Sequence, residues 1–301
     1  MLLVPADKLP GGSSKFKNDI LQIEITRACD LFTCSSCTRL LPFRKDTLHM
    51  SLDCFSKAVD SCAGWPGIVA LFGGNPCSHP KFSEICEILA AKVPMRNRGL
   101  WTNALLGKGE IAKKTFWPDA RTNLNVHGSS AAADEMRQWL PGFRIVGEHQ
   151  ASWHSPILMN YRDFGISEEQ WIPMREACDI NQKWSASLVE RDGKIFAHFC
   201  EVGSALDGIR GQNNGVEAVP GWWKLPISYF HEQITKCCDS GCGVPLRRKG
   251  SLDNADTYDI SKSWVGQLSE LKGKVDIKLH ESFPEGTEET TDYARLRHSE
   301  K

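Results

Sequence analysis

The strongest constraint on this chain is an alternation. Between Asp19 and Glu148, strand-like runs at Asp19 to Thr26, Gly67 to Phe72, Arg98 to Thr102, Thr122 to His127 and Phe143 to Glu148 are separated by helical or capped segments, among them Ser51 to Cys62, Lys81 to Lys92 and Ser130 to Leu140. Runs as apolar and β-branched as DILQIEIT suit strands buried in a parallel sheet. Strands and helices alternating at this spacing build parallel βαβ units with right-handed crossovers. The fold class read from this pattern is α/β, a partial (β/α)6 TIM-like barrel with a small α+β C-terminal appendage.

Each run is followed at its C-terminal end by polar or Gly-rich punctuation. A cysteine loop follows the first, Gly73-Gly74-Asn75-Pro76 the second, Thr102-Asn103-Ala104 the third and His127-Gly128-Ser129 the fourth. Barrel-type α/β proteins build their active sites from these loops, so one end of the sheet is expected to collect them. After about residue 165 the alternation stops. A helix over Ser167 to Cys178 is expected to lead into a hairpin, Trp184 to Val189 and Lys194 to Phe199, turning at Glu190-Arg191-Asp192-Gly193. A Gly-rich stretch from Gly203 to Gly221 and the Trp222-Trp223 pair follow, and Asp259 to Leu271 reads as a last helix. The expected division is an N-terminal arm over 1–18, the barrel over 19–165, a Cys-rich appendage over 166–258, and a C-terminal helix with a mobile polar tail over 259–301.

Composition narrows the chemistry. With 36 Lys and Arg against 37 acids the net charge is -1, which gives no global reason for a nucleic-acid or membrane partner, although a local basic patch such as Arg247-Arg248-Lys249 is compatible with a phosphate. No apolar run approaches the roughly 18 residues of a membrane span, and Met1 to Ser14 lacks the pattern of a secretion signal. A cytoplasmic chain is expected. Its 12 cysteines, in a compartment that keeps thiols reduced, then point to metal or redox chemistry.

Cys29, Cys34 and Cys37 cluster on the loop after the first run, and Cys237, Cys238 and Cys242 cluster near the end, with Cys178 and Cys200 flanking the expected hairpin. Cys54, Cys62 and Cys86 lie in helical segments and read as small buried apolar groups. Three thiolates from one loop can hold three irons of a 4Fe-4S cubane and leave the fourth open. A structural zinc site is the competing reading, and it normally closes with four ligands.

The loop CDLFTCSSC after a first strand, followed by a strand ending in GGNP, resembles the radical S-adenosylmethionine (SAM) superfamily. The resemblance covers roughly residues 19 to 150 and departs from the family pattern in three places. Cys29 and Cys34 enclose four residues, Asp30 to Thr33, rather than three; Ser36 stands where an aromatic is usual; Asn75 stands where the family's Gly-Gly-Glu-Pro loop has Glu. It implies that Cys29, Cys34 and Cys37 hold a 4Fe-4S cluster whose open iron is chelated by the amino and carboxylate groups of SAM. It also implies SAM contacts from Gly73, Gly74, Asn75 and Pro76, from Thr102 and Asn103, and from Asn125 with His127. Cys178, Cys200, Cys237, Cys238 and Cys242 look like a twitch or SPASM-type extension holding a second, auxiliary iron-sulfur cluster, with one of the adjacent pair Cys237 and Cys238 left out. A zinc knuckle tying hairpin to tail is the alternative there.

The activity implied is reductive cleavage of SAM to a 5′-deoxyadenosyl radical. That radical abstracts hydrogen from a small-molecule or nucleotide-like substrate, leading to dehydrogenation, epimerisation or rearrangement, with flavodoxin or ferredoxin as electron donor. Modified bases of viral DNA are one substrate class known in the superfamily. Cys77, next to GGNP, is the candidate hydrogen-atom donor, against packing in a loop. Candidate lumen groups are His127, Glu148, His149, His154 and Asn160. A peptide-modifying enzyme is an alternative; such members often carry an N-terminal recognition module, and with roughly eighteen residues before the first strand none is expected here. A zinc-stabilised interaction protein is the non-catalytic alternative, with 10 tryptophans supplying adhesive surface.

Overall fold

The computed structural model describes residues 20–30, 37–44, 47–148, 156–176, 178, 186–225, 227–246, 257–268 and 276–281. Cys34, His149, His154, Arg247, Arg248 and Lys249 lie outside the described residues, as do the expected arm over 1–18 and the tail beyond Glu281.

The first half alternates as the sequence predicts: β1 (Ile20–Thr26), α1 (Leu52–Ser61), β2 (Ile68–Gly73), α2 (Phe82–Lys92), β3 (Arg98–Thr102), α3 (Gly109–Phe116), β4 (Arg121–Asn125), α4 (Ser130–Trp139) and β5 (Ile145–Val146). Ser51 caps α1 by accepting from the Cys54 N–H at 3.1 Å, and Ser129 caps α4 by accepting from Ala132. Beyond these come α5 (Glu168–Glu176), β6 (Ala186–Arg191), β7 (Lys194–His198), α6 (Glu201–Ile209), β8 (Val216–Glu217), β9 (Thr257–Ser261), α7 (Lys262–Leu268) and β10 (Asp276–His280). The fold is mixed α/β, as read from the alternation.

The main sheet has eight strands in the order β5-β4-β3-β2-β1-β6-β7-β8. The strands from β5 to β6 are all parallel, while β7 and β8 are antiparallel. The sixth parallel strand is the first arm of the hairpin, which pairs with β1 through Leu21 opposite Ala186 and Ile23 opposite Leu188. Strand β1 therefore sits inside the sheet, fully buried along its length.

Because β1 to β5 step in one direction, right-handed crossovers stack α1 to α4 on one face. Leu21, Ile23 and Ile25 of β1 join Phe55, Phe82, Leu100 and Phe116 in the resulting core. At about 1.5–3 kcal/mol for each fully buried large apolar side chain, this layer dominates the stability of the fold. The alternate residues face the other way. Ile20, Ala70, Phe72 and Trp101 form a small apolar cluster there, beside the buried polar Gln22 and Glu24. Helix α6 covers this second face, where the Ser187 and Ser204 hydroxyls meet at 2.8 Å and His198 meets Asp207 at 3.0 Å.

Two elements differ from the sequence reading. The Gly-rich stretch begins as helix α6, whose burial against β6 and β7 outweighs the cost of Gly203 and Gly208 inside it. The last helix starts at Lys262, because Asp259 to Ser261 belong to β9, which pairs parallel with β10. No helix among the described residues is long and apolar enough to cross a membrane.

Candidate functional site

At the C-terminal end of the parallel strands, the punctuating residues meet through one side chain. Asn75 is fully buried, and every hydrogen-bonding position of its amide is used. Its nitrogen donates to Asp30 Oδ1 at 2.8 Å and to the Ala104 carbonyl at 3.0 Å, while its oxygen accepts from the Thr102 hydroxyl at 2.6 Å and the Cys77 N–H at 3.0 Å. A Glu at this position has no N–H to donate to Asp30 or Ala104, so Asn suits a site that contains Asp30. Asn103 donates to the same carboxylate at 3.2 Å, and its side-chain oxygen lies 4.0 Å from Cys29 Sγ. Loops from β1, β2 and β3 are thus tied together around Asp30, with Cys29 half-buried at their junction.

The glycine pair has a reason within the chain. Gly73 has φ +143°, and a Cβ there would sit 2.1 Å from the Thr26 carbonyl oxygen; a Cβ on Gly74 would sit 2.1 Å from that of Ala28. The Gly74 and Asn75 N–H groups donate to those two carbonyls at 2.9 and 2.8 Å. Two glycines let the loop after β2 press against the chain leaving β1, which fixes where Cys29 emerges. Pro76 is buried and starts the short turn that follows.

Cys37, the other described cysteine of this loop, is half-buried, and its N–H donates to the Tyr258 hydroxyl at 3.0 Å. Strand β9 therefore steadies the far end of the cysteine loop. Burial raises the Cys37 thiol pKa. Cys77 is 1% exposed within the apolar core, has its Sγ 3.7 Å from the Thr102 hydroxyl oxygen, and is pushed up to about 12 by burial, so it stays a thiol. On β4 and just beyond it, Asn125 and His127 are half-buried, with the Asn125 side-chain oxygen accepting from the His127 N–H at 3.4 Å and His127 in the left-handed region at φ 46°. They stand at the same sheet end, two strands from β2. Glu148 instead pairs with Arg137 on the surface, and Asn160 caps the turn over Tyr161–Phe164.

Below this end lies a buried charge network that sequence reading missed. Arg39 approaches Glu24 at 2.6 Å, Arg27 at 3.3 Å and Arg44 at 3.9 Å. Burial pushes the Glu24 carboxyl upward, but the guanidinium groups, Arg39 foremost, more than offset it and bring its pKa to about 2. Glu201, at the start of α6, goes the other way. Burial raises it to about 7 against the pull of Arg39, which donates to the Glu201 carbonyl at 2.5 Å, to Ser204 and to Glu24. The available signal was the polar alternation of Gln22, Glu24 and Thr26 inside an otherwise apolar strand.

The C-terminal cysteines are in another setting. Cys178, Cys200, Cys237 and Cys242 are buried and Cys238 is half-buried. Burial lifts the Cys238 thiol well above its ordinary value, and Cys242, Cys200, Cys237 and Cys178 add to that rise; Cys200 is raised by burial together with Cys178 and Cys242. Burial and Cys178 push Cys242 up to about 12. Cys178, Cys200, Cys237, Cys238 and Cys242 therefore lie in one neighbourhood. The Cys237 side chain turns to the Gly203 carbonyl and Asp207, each at 3.5 Å. Adjacent residues of this tight turn point apart, as chain geometry requires. Among the described residues no three Cys, His, Asp or Glu side chains close on one metal position. Of the described tryptophans, Trp65, Trp101, Trp171, Trp222 and Trp264 are buried, Trp139 and Trp223 are half-buried and Trp117 is exposed.

No family model and no curated protein matches the chain. Among solved structures, that of BtrN in complex with AdoMet and 2-DOIA aligns with 61% of this chain and 73% of its own, at 13% identity and a TM-score of 0.38. The likeness is weak, and the residues of this chain have to carry any functional reading.

Proposed function

We propose that the protein is a radical SAM enzyme acting on a small-molecule or nucleotide-like substrate in the cytoplasm, with reduction by a flavodoxin or ferredoxin. The observation that carries the reading is the tie between Cys29, Asp30, Asn75 and Asn103, which joins the cysteine loop to the second and third strand ends. Cys29, Cys34 and Cys37 would hold one 4Fe-4S cluster, and Cys178, Cys200, Cys238 and Cys242 a second. The donor sets suit the two groups: three sulfurs on a loop beside polar side chains for an open site, four enclosed sulfurs for a closed one. When bound, cluster and SAM supply a 5′-deoxyadenosyl radical able to remove hydrogen from an unactivated carbon.

The chain's own part is orientation and exclusion of water. Asn75 and Asn103 hold Asp30 and with it the first turn of the cysteine loop. Thr102, Asn103, Asn125 and His127 present hydrogen-bonding groups along neighbouring strand ends, where a polar ligand can lie across the sheet. Helix α6 and the apolar cluster around Trp101 cover the second face below. Cys77 stays protonated and serves as hydrogen-atom donor if the outcome is epimerisation.

Anaerobic reconstitution with iron and sulfide followed by SAM and a strong reductant tests this reading. Release of 5′-deoxyadenosine by the wild type, and its loss in Cys29→Ala, supports it. Tight zinc binding with no nucleoside released sinks it.

A further inference from the structure

At the C-terminal end of β1 and β6 lies a cavity of about 1050 Å³, whose wall includes Arg27 and Arg44 of the charge network above. Its walls come from the end of β1, the segment after the cysteine loop, the β6–β7 turn, the C-terminal end of α6, the turn carrying Cys237 and Cys238, and α7. Arg27, Arg44, Arg191, Arg210 and Lys236 line it, with Glu190 and Asp192 as the lining acids; behind the wall Glu24 pairs with Arg27 and Arg44, and Glu232 with Lys236. Glu190 already accepts from the Ser51 N–H. A chain of net charge -1 has thus concentrated positive charge in one concavity.

Arg210 is the best-defined of these cations. Its guanidinium donates to the Lys236 carbonyl at 2.5 Å, the Ser240 carbonyl at 2.9 Å and Gln267 Oε1 at 3.3 Å, and stacks 4.6 Å over the Trp264 ring. Neutral oxygens and a ring fix its plane at the cavity wall. A second observation concerns Arg44. A Cβ on Gly208 would lie 2.0 Å from Arg44 Nη1, so glycine at this turn of α6 makes room for a guanidinium that reaches the Ala205 carbonyl and Glu24 from the cavity wall.

We propose that this cavity binds the phosphate group of a small phosphorylated substrate, such as a nucleoside monophosphate. The volume suits one ligand of that size rather than a polymer. Planar guanidinium groups match phosphate oxygens through paired, charge-assisted hydrogen bonds. Which reaction the ligand undergoes rests on the radical SAM reading above; the anion binding does not.

Equilibrium binding to the full-length protein tests it, with inorganic pyrophosphate, a nucleoside, its 5′-monophosphate and a short oligonucleotide as probes at low and raised salt. The monophosphate is expected to bind at least about tenfold tighter than the nucleoside, and Arg210→Gln and Lys236→Gln each to weaken it roughly tenfold or more, as for loss of one charge-assisted contact. Lys236 is largely exposed and pairs with Glu232 on the same turn, so its variant keeps the fold even if Arg210→Gln does not, and matched melting curves check this. Lys57→Gln, on exposed α1, is expected to change nothing. Equal binding of nucleoside and monophosphate, or undiminished binding by a folded Lys236→Gln variant, overturns the proposal. Tighter binding of the oligonucleotide than of the monophosphate overturns the assignment to a small ligand. Because no SAM cleavage is read, failure of the radical reading leaves these outcomes interpretable.

Discussion

Two groups of cysteines in this chain occupy opposite environments. Around Cys29 the neighbours are Asp30, Asn75 and Asn103, and the thiol is half-buried beside hydrogen-bonding groups. Around Cys200 the neighbours are other sulfurs, each raising the others' pKa by adding to the penalty of burial. The carboxylates beneath them show the same contrast about one guanidinium: Glu24 is held at about 2 and Glu201 is raised to about 7, both facing Arg39. Residue type alone does not set the chemistry. The first region sets its thiol beside hydrogen-bonding groups, whereas the second buries its thiols together and holds their protons on.

The comparison breaks most readily at the glycines. Gly73→Ala drives a Cβ into the Thr26 carbonyl, and a backbone atom cannot move aside cheaply, so a loss of about 3 kcal/mol or more in urea unfolding is expected. Iron at the first cysteine group should fall with it while iron at the second persists. Loss of both together would mean that the two regions are not independent.

Acid titration probes the buried network under the first region. The Glu24 pKa is lowered in the folded state from 4.5 to about 2, so its contribution is fully present above pH 4.5 and is lost as pH falls toward 2. The shift corresponds to roughly 3 kcal/mol. Glu24→Gln should flatten that arm of the stability curve, measured by urea midpoints between pH 2 and 6. An unchanged arm would remove the carboxylate from the account.

Within the second region the adjacent pair separates two roles. Cys238→Ser is expected to lose the iron of the C-terminal group, whereas Cys237→Ser, whose side chain faces Gly203 and Asp207, is expected to keep it. The reverse pattern would reassign the donor set. The smallest effect expected is that of Cys77→Ala, about 1 kcal/mol or slightly more from a lost buried sulfur in a melting curve. If epimerisation is the outcome, the same variant retains SAM cleavage but yields no epimer, because nothing returns a hydrogen atom to the substrate radical.

Much of the fold was legible because period and punctuation agreed from Asp19 to Glu148, where each strand ends in residues that cannot continue it. The sixth parallel strand was not, since nothing in Ala186 to Arg191 says that it returns to pair with β1 rather than β5. Helix α6 escaped notice because Gly203 and Gly208 lower its local propensity, and only the partners it covers, Ser187 and His198, explain it. In the site, Asn75 stood out only as a departure from a family pattern. Its meaning appears once Asp30, unremarked in the sequence, is seen to accept from it.

The central claim is that the two cysteine groups hold two separate iron-sulfur clusters, of which only the first meets SAM. Iron and sulfide analysis with electron paramagnetic resonance, on the reconstituted wild type, the Cys29→Ala/Cys34→Ala/Cys37→Ala variant and the Cys178→Ala/Cys200→Ala/Cys238→Ala/Cys242→Ala variant, tests it most directly. The account predicts about eight irons per chain in the wild type and about four in each variant, as for two four-iron clusters. It further predicts that SAM perturbs the spectrum only where Cys29, Cys34 and Cys37 are intact. Zinc in place of iron, or a triple variant with no iron left, would contradict it.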